Sequence, residues 1–301
     1  MRQISILATH RVTLHLPIAI ACAVFGVACS GDESSGSRLP DGYGDYSKEQ
    51  VTAIGTYDRD AVDGDAPPVQ VGTQGADGEV CFSVGPCTTS ATGESEWCER
   101  EGGPVDVIYV DGKVVETICY PPADDPERPV VTIDTAVEGD VDIAQTANQT
   151  TVVFSDDTDG MPFVGDLSVD GNNVAIYGNG ADNTVIDGEV TLDGNNIRLR
   201  GVTITGDLII SKNNIAVVLC KILGNVVLDG QSTNGSVFAN NDIFGSFTSN
   251  SNGNVLVGNS VRDAWSVTGN GATCDNNHAF IDNDGNEVVA PAERGAELTC
   301  P

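Results

Sequence analysis

The sequence predicts an all-β fold, a right-handed parallel β-helix (solenoid) preceded by a small disulfide-bonded β module. The composition is the first observation: 35 Gly among 301 residues and only 5% aromatic residues favour short strands joined by tight turns. The second is a short glycine-led segment of alternating apolar residues that recurs through the second half of the chain. The third is a group of four Cys upstream of those repeats. We therefore expect almost no long helix.

The first 28 residues have the pattern of a secretory signal. Arg2 and Arg11 accompany an apolar stretch, Val12 to Ala28, that is too short to favour a membrane-spanning helix. Its end, Gly26-Val-Ala-Cys-Ser, resembles the lipobox of bacterial lipoproteins. The resemblance implies that Cys29 is lipidated and attaches the chain to a membrane through its lipid, with the outer membrane of the cell envelope as the expected location. The alternative is ordinary secretion with cleavage nearby.

The net charge of −30 limits the partners of the protein. It arises from 14 Lys and Arg against 44 Asp and Glu. A surface this acidic repels phosphate backbones, and it disfavours polyanionic polysaccharides unless cations intervene. We therefore exclude nucleic acid as a partner, and the simplest reading of the charge is that it keeps an exported protein soluble.

Two segments separate the signal from the repeats. Residues 29–68 are rich in Ser, Gly and Asp and predict a flexible tether. Residues 69–122 predict a cysteine-bearing β module, in which Val105–Val110 and Lys113–Ile118 flank Asp111-Gly112, a strong hairpin signal.

The repeat follows the frame Gly, polar, apolar, any, apolar. Its copies begin at Gly139, Gly165, Gly188, Gly206, Gly224, Gly245 and, with Asp in place of Gly, Asp263. A unit of about 20 residues with alternating apolar positions cannot bury its apolar face alone, so its copies must stack. Three short strands per coil fit this length, and residues 129–285 are therefore predicted to form the parallel β-helix.

The alternation also predicts which residues stack. Two inward columns are expected, and a third column has the pattern of an asparagine ladder. The first holds Val190, Leu208, Val226, Phe247 and Trp265; the second Leu192, Ile210, Leu228 and Val267; the ladder Val202, Cys220, Asn241, Asn259 and Asn277. Asparagine in such a column is expected to stabilise turns, and Cys220 to be an inert buried thiol.

The repeats resemble the pectate-lyase-like superfamily of parallel β-helices, most visibly in residues 195–206, Asn-Asn-Ile-Arg-Leu-Arg-Gly-Val-Thr-Ile-Thr-Gly. The resemblance is to architecture, which many functions share. The superfamily's lyases hold calcium with acidic residues and use an Arg or Lys as base, and its hydrolases use grouped aspartates with a Gly-His-Gly element. Neither constellation is recognisable here, so the sequence predicts no complete catalytic site.

Two sets of residues are candidate binding sites. One is a column expected to point outward and form a shallow polar groove for glycans, or merely to hold a solvated ion pair: Thr203, Lys221, Asp242, Ser260 and His278. The other comprises two acidic loops that gather oxygen ligands as calcium loops do, or that are ordinary acidic turns: Asp156, Asp157 and Asp159 in the first and Asp282 and Asp284 in the second. Calcium is the one cofactor that these residues suggest.

The remaining cysteines predict disulfides, as expected for an exported protein. Four lie close together with their pairing open: Cys81, Cys87, Cys98 and Cys119. An open end of a β-helix would expose unpaired strand edges, so something must cover it. Residues 286–301 no longer follow the coil pattern, and we predict that a Cys274–Cys300 disulfide clamps them as a C-terminal cap.

These features together predict a non-enzymatic envelope lipoprotein that presents a rigid β-helix for adhesion, matrix attachment or glycan binding. The expected partners are the membrane, through the lipid, and a polysaccharide or another envelope component. The alternative is a carbohydrate-active enzyme of unfamiliar type, a polysaccharide lyase or glycoside hydrolase that uses acidic side chains on one face of the helix.

Overall fold

The computed structural model describes a chain built from strands. The described residues are 69–74, 79–82, 88–89, 103–111, 113–122, 125–135, 138–154, 162–181, 183–228, 233–280 and 294–301. The predicted signal, Cys29 and the predicted tether lie outside them. Within these ranges no helix is long and apolar enough to cross a membrane, and the predicted all-β class with a parallel β-helix is confirmed.

The β module is a five-stranded antiparallel sheet with the order β3-β2-β1-β4-β5. Its strands are β1 (Val69–Gln74), β2 (Glu79–Phe82), β3 (Thr88–Thr89), β4 (Pro104–Val110) and β5 (Lys113–Cys119). The predicted hairpin is confirmed, because β4 and β5 pair antiparallel on either side of the turn. Asp111 has a φ of 50° there, the left-handed conformation that tight hairpin turns require.

The β-helix has about seven turns and three parallel sheets, each turn supplying one short strand to each sheet. Sheet I consists of β7 (Val141–Ile143), β10 (Leu167–Val169), β13 (Val190–Leu192), β16 (Leu208–Ile210), β19 (Val226–Leu228), β22 (Phe247–Ser249) and β25 (Trp265–Val267). Sheet II consists of β6 (Val130–Ile133), β8 (Thr151–Phe154), β11 (Ala175–Tyr177), β14 (Arg198–Arg200), β17 (Ala216–Val218), β20 (Val237–Ala239), β23 (Val255–Val257) and β26 (Thr273–Asp275).

Sheet III completes each turn. It consists of β9 (Phe163–Val164), β12 (Val185–Asp187), β15 (Thr203–Ile204), β18 (Lys221–Ile222), β21 (Asp242–Ile243), β24 (Ser260–Val261), β27 (His278–Phe280) and β28 (Arg294–Glu297). The last strand, β28, pairs antiparallel with β27, whereas every other pairing in this sheet is parallel.

The predicted inward columns of sheet I are confirmed. Val190, Leu208, Val226, Phe247 and Trp265 are register neighbours on successive strands. The first four are at most 1% exposed, and Trp265 is partly buried and stacks on the Phe247 ring with 4.8 Å between centroids. In the second column Ser249 fills the position between Leu228 and Val267, so one coil buries a hydroxyl where its neighbours bury methyl groups.

The predicted asparagine ladder is also confirmed. The Nδ2 of Asn241 donates to Oδ1 of Asn259, and the Nδ2 of Asn259 donates to Oδ1 of Asn277, both over 2.9 Å. The backbone N–H of Cys220 donates to Oδ1 of Asn241 over 3.0 Å, which joins the thiol residue to the same column. Burial raises the pKa of the Cys220 thiol to about 11, so this free cysteine is an unreactive core residue, as predicted.

The glycine that opens each repeat has a steric cause. A Cβ on Gly206 would lie 2.6 Å from the carbonyl oxygen of Gly188 on the preceding coil, closer than real Cβ atoms come to any such atom. From Gly165 to Gly245, the backbone at the corner between sheets III and I therefore packs directly on the backbone of the preceding coil, which leaves no room for a side chain. Asp263 occupies this position in the last copy.

The C-terminal end of the helix is closed by the last residues of the chain. Cys274 and Cys300 form a disulfide with their Cα atoms 5.8 Å apart, as predicted. The backbone N–H of Leu298 donates to the Asn277 carbonyl over 2.7 Å, and Nε1 of Trp265 donates to the Thr299 carbonyl over 3.1 Å. The final segment thus contacts both the end of the asparagine ladder and the last strand of sheet I.

Candidate functional site

The predicted glycan-facing column lies in register on sheet III. Thr203, Lys221, Asp242, Ser260 and His278 are neighbours on β15, β18, β21, β24 and β27. However, the first four are only 0%, 3%, 5% and 7% exposed, and His278 is partly buried. The expectation of a groove open to solvent is therefore wrong for the first four members, which alternate with the inward Ile204, Ile222, Ile243 and Val261 and yet are almost inaccessible to solvent.

Two hydrogen bonds show the local surroundings of this column. The Thr203 hydroxyl donates to the Ala181 carbonyl over 2.6 Å. At the other end, Nε2 of His278 lies 2.9 Å from Oδ1 of Asn276, while its buried Nδ1 has no hydrogen-bond partner among the described residues. A side chain that points away from the core of the coil is thus not necessarily accessible to solvent. Alternation in the sequence predicts the direction of a side chain but not its exposure.

The predicted calcium loops cannot be placed. Asp156, Asp157, Asp159, Asp282 and Asp284 all lie outside the described residues. In the described part of the chain no three His, Cys, Asp or Glu side chains come together as metal ligands would.

The upstream cysteines are described in part. Cys119 takes part in a disulfide whose partner is not among the described side chains, and the side chains of Cys81, Cys87 and Cys98 are not among them either. The pairing of these four cysteines therefore stays open.

The outward face of sheet II is covered by the β module. One buried apolar cluster contains residues of both: Val69, Ile108, Ile118 and Tyr120 from the module and Ala216, Val218, Val237, Ala239 and Val257 from sheet II. Alternation places these sheet II residues opposite the inward Val217, Phe238 and Leu256, which belong to the core of the helix. From β17 to β23, sheet II is therefore apolar on both of its faces.

Charged and aromatic side chains fix the same contact. Arg200 makes two hydrogen bonds to the carboxylate of Asp106, over 2.9 and 3.2 Å, and Asp106 is fully buried. Burial alone would lower the pKa of Arg200, but the Asp106 carboxylate raises it above its usual value. Arg198 donates to the Cys119 carbonyl, and the Tyr177 hydroxyl donates to the Pro121 carbonyl. These basic residues of the repeats thus hold the module in place.

The outward face of sheet I, in contrast, is accessible. Three outward columns run along the helix axis, and most of their described members are partly or fully exposed. The first holds Asp140, Asp166, Glu189, Asp207, Asn225, Ser246 and Ala264; the middle Asp142, Ser168, Thr191, Ile209, Val227, Thr248 and Ser266; the third Ala144, Asp170, Asp193, Ser211, Asn250 and Thr268. We call these columns the sheet I face.

Hydrogen bonds between coils orient the carboxylates of the first column. Oδ1 of Asp140 accepts from the backbone N–H of Asp166 over 3.1 Å, and Oδ1 of Asp166 accepts from that of Glu189 over 2.8 Å. Asp207 accepts from both the backbone N–H and the Nδ2 of Asn225, over 2.7 and 3.1 Å. One oxygen of each aspartate is therefore fixed against the next coil.

A second asparagine ladder borders the sheet I face, and the sequence analysis did not identify it. Its members are Asn148, Asn172, Asn195, Asn213, Asn234, Asn252 and Asn270, and Oδ1 of each of the first six accepts from the backbone N–H of the next member. A left-handed residue follows each one, from Gln149 to Gly271. The signal was present in the recurring Asn-Asn and Asn-Gly pairs that begin with Asn172-Asn173.

Comparisons of the chain with known protein families, with curated proteins and with solved structures found no match.

Proposed function

We propose that this chain is an exported, lipid-anchored protein that displays a rigid, non-catalytic β-helix at the cell surface for adhesion, matrix attachment or glycan binding. The observation that carries the proposal is the sheet I face, a solvent-accessible array of Ser, Thr, Asn and acidic side chains on a solid scaffold. Carboxylates, hydroxyls and amides are the groups that bond sugar hydroxyls and amines.

The scaffold supports a binding role because its groups are held before any ligand arrives. Adjacent coils in a parallel sheet are about 4.8 Å apart, so side chains in one column repeat at that interval. The ladders of Asp166, Asn172 and their equivalents restrain the corners on both sides of each sheet I strand. Groups that are already ordered lose little entropy on binding, which favours affinity.

The test is to incubate the purified protein with a panel of envelope and matrix polysaccharides and to follow both binding and product. We expect retention of at least one polysaccharide with no change in its chain length. New reducing ends or unsaturated uronates accumulating with time would contradict the proposal and favour the carbohydrate-active enzyme instead. A failure to retain any polysaccharide would remove glycan binding from the proposal.

The anchor is tested separately. Cys29→Ser should release the protein from membranes, because the lipobox resemblance makes this thiol the site of lipid attachment, and should leave the β-helix unchanged. Metabolic labelling with a palmitate analogue measures the modification directly, and the matched control is Cys220→Ser, whose buried thiol should not affect labelling. Incorporation that survives Cys29→Ser would show that the anchor lies elsewhere.

A further inference from the structure

The asparagine ladder that borders the sheet I face contains three Asn-Gly pairs on successive coils. They are Asn234-Gly235, Asn252-Gly253 and Asn270-Gly271. The three glycines have nearly the same left-handed conformation, with φ angles of 69°, 67° and 68°. The pairs therefore share their two residue types, their place in the coil and the backbone conformation of the glycine. They differ in whether another coil follows them.

An Asn-Gly pair carries an internal nucleophile and an internal electrophile. The backbone nitrogen of the glycine, after it loses its proton to a base in the solvent, attacks Cγ of the asparagine, and Nδ2 leaves as ammonia. The product is a five-membered cyclic imide, and water opens either of its two carbonyl groups to give aspartate or isoaspartate. Glycine favours the attack because it has no Cβ to obstruct its nitrogen. Asparagine is accordingly one of the thermolabile residues of proteins.

The next coil protects the first two pairs at both reacting groups. The N–H of Gly235 donates to the Asn252 carbonyl over 3.0 Å. The N–H of Gly253 donates to the Asn270 carbonyl over 2.9 Å. Oδ1 of Asn234 accepts from the backbone N–H of Asn252, and Oδ1 of Asn252 accepts from that of Asn270, each over 2.9 Å. These hydrogen bonds to the nitrogen and to the amide must break before the imide ring closes.

The third pair lies after the last strand of sheet I, β25, and lacks both bonds. Among the described residues the N–H of Gly271 donates to no acceptor, and the side chain of Asn270 makes no hydrogen bond. Exposure does not distinguish this pair from its predecessor, because Asn252 and Gly253 are exposed as well. The distinguishing feature is that both the attacking nitrogen and the amide under attack are unrestrained.

We propose that Asn270 is a site of spontaneous modification, the first asparagine of this ladder to deamidate, through the cyclic imide that it forms with Gly271. The reaction consumes water, releases ammonia and needs no enzyme. It replaces a neutral amide by a carboxylate, and the isoaspartate product also adds an extra carbon to the main chain between β25 and β26.

The experiment follows the reaction at each pair in the folded full chain with its disulfides intact. The protein is kept in warm, mildly alkaline buffer, which favours the deprotonated nitrogen. Samples are digested at low pH, and fragment masses assign each amide-to-acid conversion to its residue. We expect Asn270 to react at least roughly tenfold faster than Asn252 or Asn234, since the hydrogen bonds that hold those two must first break. Equal rates at the three residues, or a faster rate at Asn252 or Asn234, would overturn the proposal.

The unfolded chain is the matched control, because it keeps the sequence and loses the ladder. In concentrated guanidinium chloride with the disulfides reduced, we expect the three pairs to react at similar rates, since glycine follows each asparagine. A preference for Asn270 that persists there would show that its sequence neighbours, and not the missing coil, cause the difference. Conversion in the unfolded chain without any at Asn270 in the folded chain would also contradict the proposal.

A pair of variants locates the reactive residue. Asn270→Gln has a longer side chain that closes the corresponding ring far less readily, and it removes no side-chain hydrogen bond among the described residues. We expect the conversion at this position to disappear and the thermal unfolding of the fresh protein to stay unchanged. Asn234→Gln changes the same residue type two coils away and should leave the rate at Asn270 as it is. An unchanged rate of conversion near position 270 in Asn270→Gln would assign the reaction to another residue.

Discussion

The outward faces of sheet I and sheet II belong to the same coils but have different environments. Val227 on sheet I and Val218 on sheet II are both outward valines on adjacent coils, yet the first is half-buried and the second fully buried beneath the β module. Sheet II presents Ala and Val with two anchoring arginines, whereas sheet I presents hydroxyls and carboxylates. A single repeating fold therefore carries an internal contact on one side and an accessible polar surface on the other.

The largest difference between the faces should appear when the same charge is placed on each. Val218→Asp buries an unpaired carboxylate against the apolar cluster of the module and should lower the free energy of unfolding by about 4 kcal/mol. Val227→Asp puts the same group near solvent and should cost about 1 kcal/mol or less, mainly through lower strand propensity. Urea denaturation of both variants measures the two values, and equal losses would show that the module does not seal sheet II.

The second comparison uses one ion pair from each face. Asp106→Ala leaves the Arg200 guanidinium, whose side chain is 18% exposed, without its buried partner and should cost about 3 kcal/mol. Asp193→Ala breaks the pair with Lys212, in which the side chains are 43% and 41% exposed, and should cost less than about 1 kcal/mol. Thermal unfolding of the two alanine variants gives the comparison, and a cost for Asp193→Ala as large as that for Asp106→Ala would contradict it.

The smallest difference should separate the two asparagine ladders. Asn259 lies in the buried ladder. Asn259→Ala removes the side-chain acceptor of the Asn241 backbone N–H and the side-chain donor to the Phe238 carbonyl, at a cost of about 2 kcal/mol. Asn213 lies in the ladder that borders sheet I, where water replaces lost bonds, so Asn213→Ala should cost about 1 kcal/mol or less. Hydrogen exchange of the Asn241 and Asn234 amides would report both changes, and stronger deprotection at Asn234 would reverse the expected order.

The coil architecture was predictable because it repeats. The alternation of apolar residues predicted the inward columns from Val190 to Trp265. The 18-residue spacing of Asn241, Asn259 and Asn277 predicted that they form a ladder. The disulfide of Cys274 with Cys300 followed from the need to close the end of a solenoid. Each of these inferences depends on neighbours that are one coil apart, and a repeat encodes that separation directly.

The covering of sheet II was not predictable on the same basis. Arg200 and Asp106 are 94 residues apart, and no periodicity relates the module to the coils. The sequence showed Arg198 and Arg200 in the segment 195–206 without indicating that Arg200 bonds a buried carboxylate and Arg198 a backbone carbonyl of the module. The prediction that the Thr203 to His278 column is accessible to solvent was wrong for a related reason. Alternation separates inward from outward positions, but it contains no information about what lies over the outward side.

The docked module has a consequence for how the β-helix unfolds. In a solenoid each coil contacts its neighbours, so terminal coils open independently and opening spreads inward one coil at a time. The module, however, touches Tyr177 on β11, Arg200 on β14, Val218 on β17, Ala239 on β20 and Val257 on β23. Five successive coils share one covering sheet, and none of them can separate without disturbing it. The centre of the helix should therefore melt as one cooperative block, while the first coils, beyond the reach of the module, fray at lower denaturant.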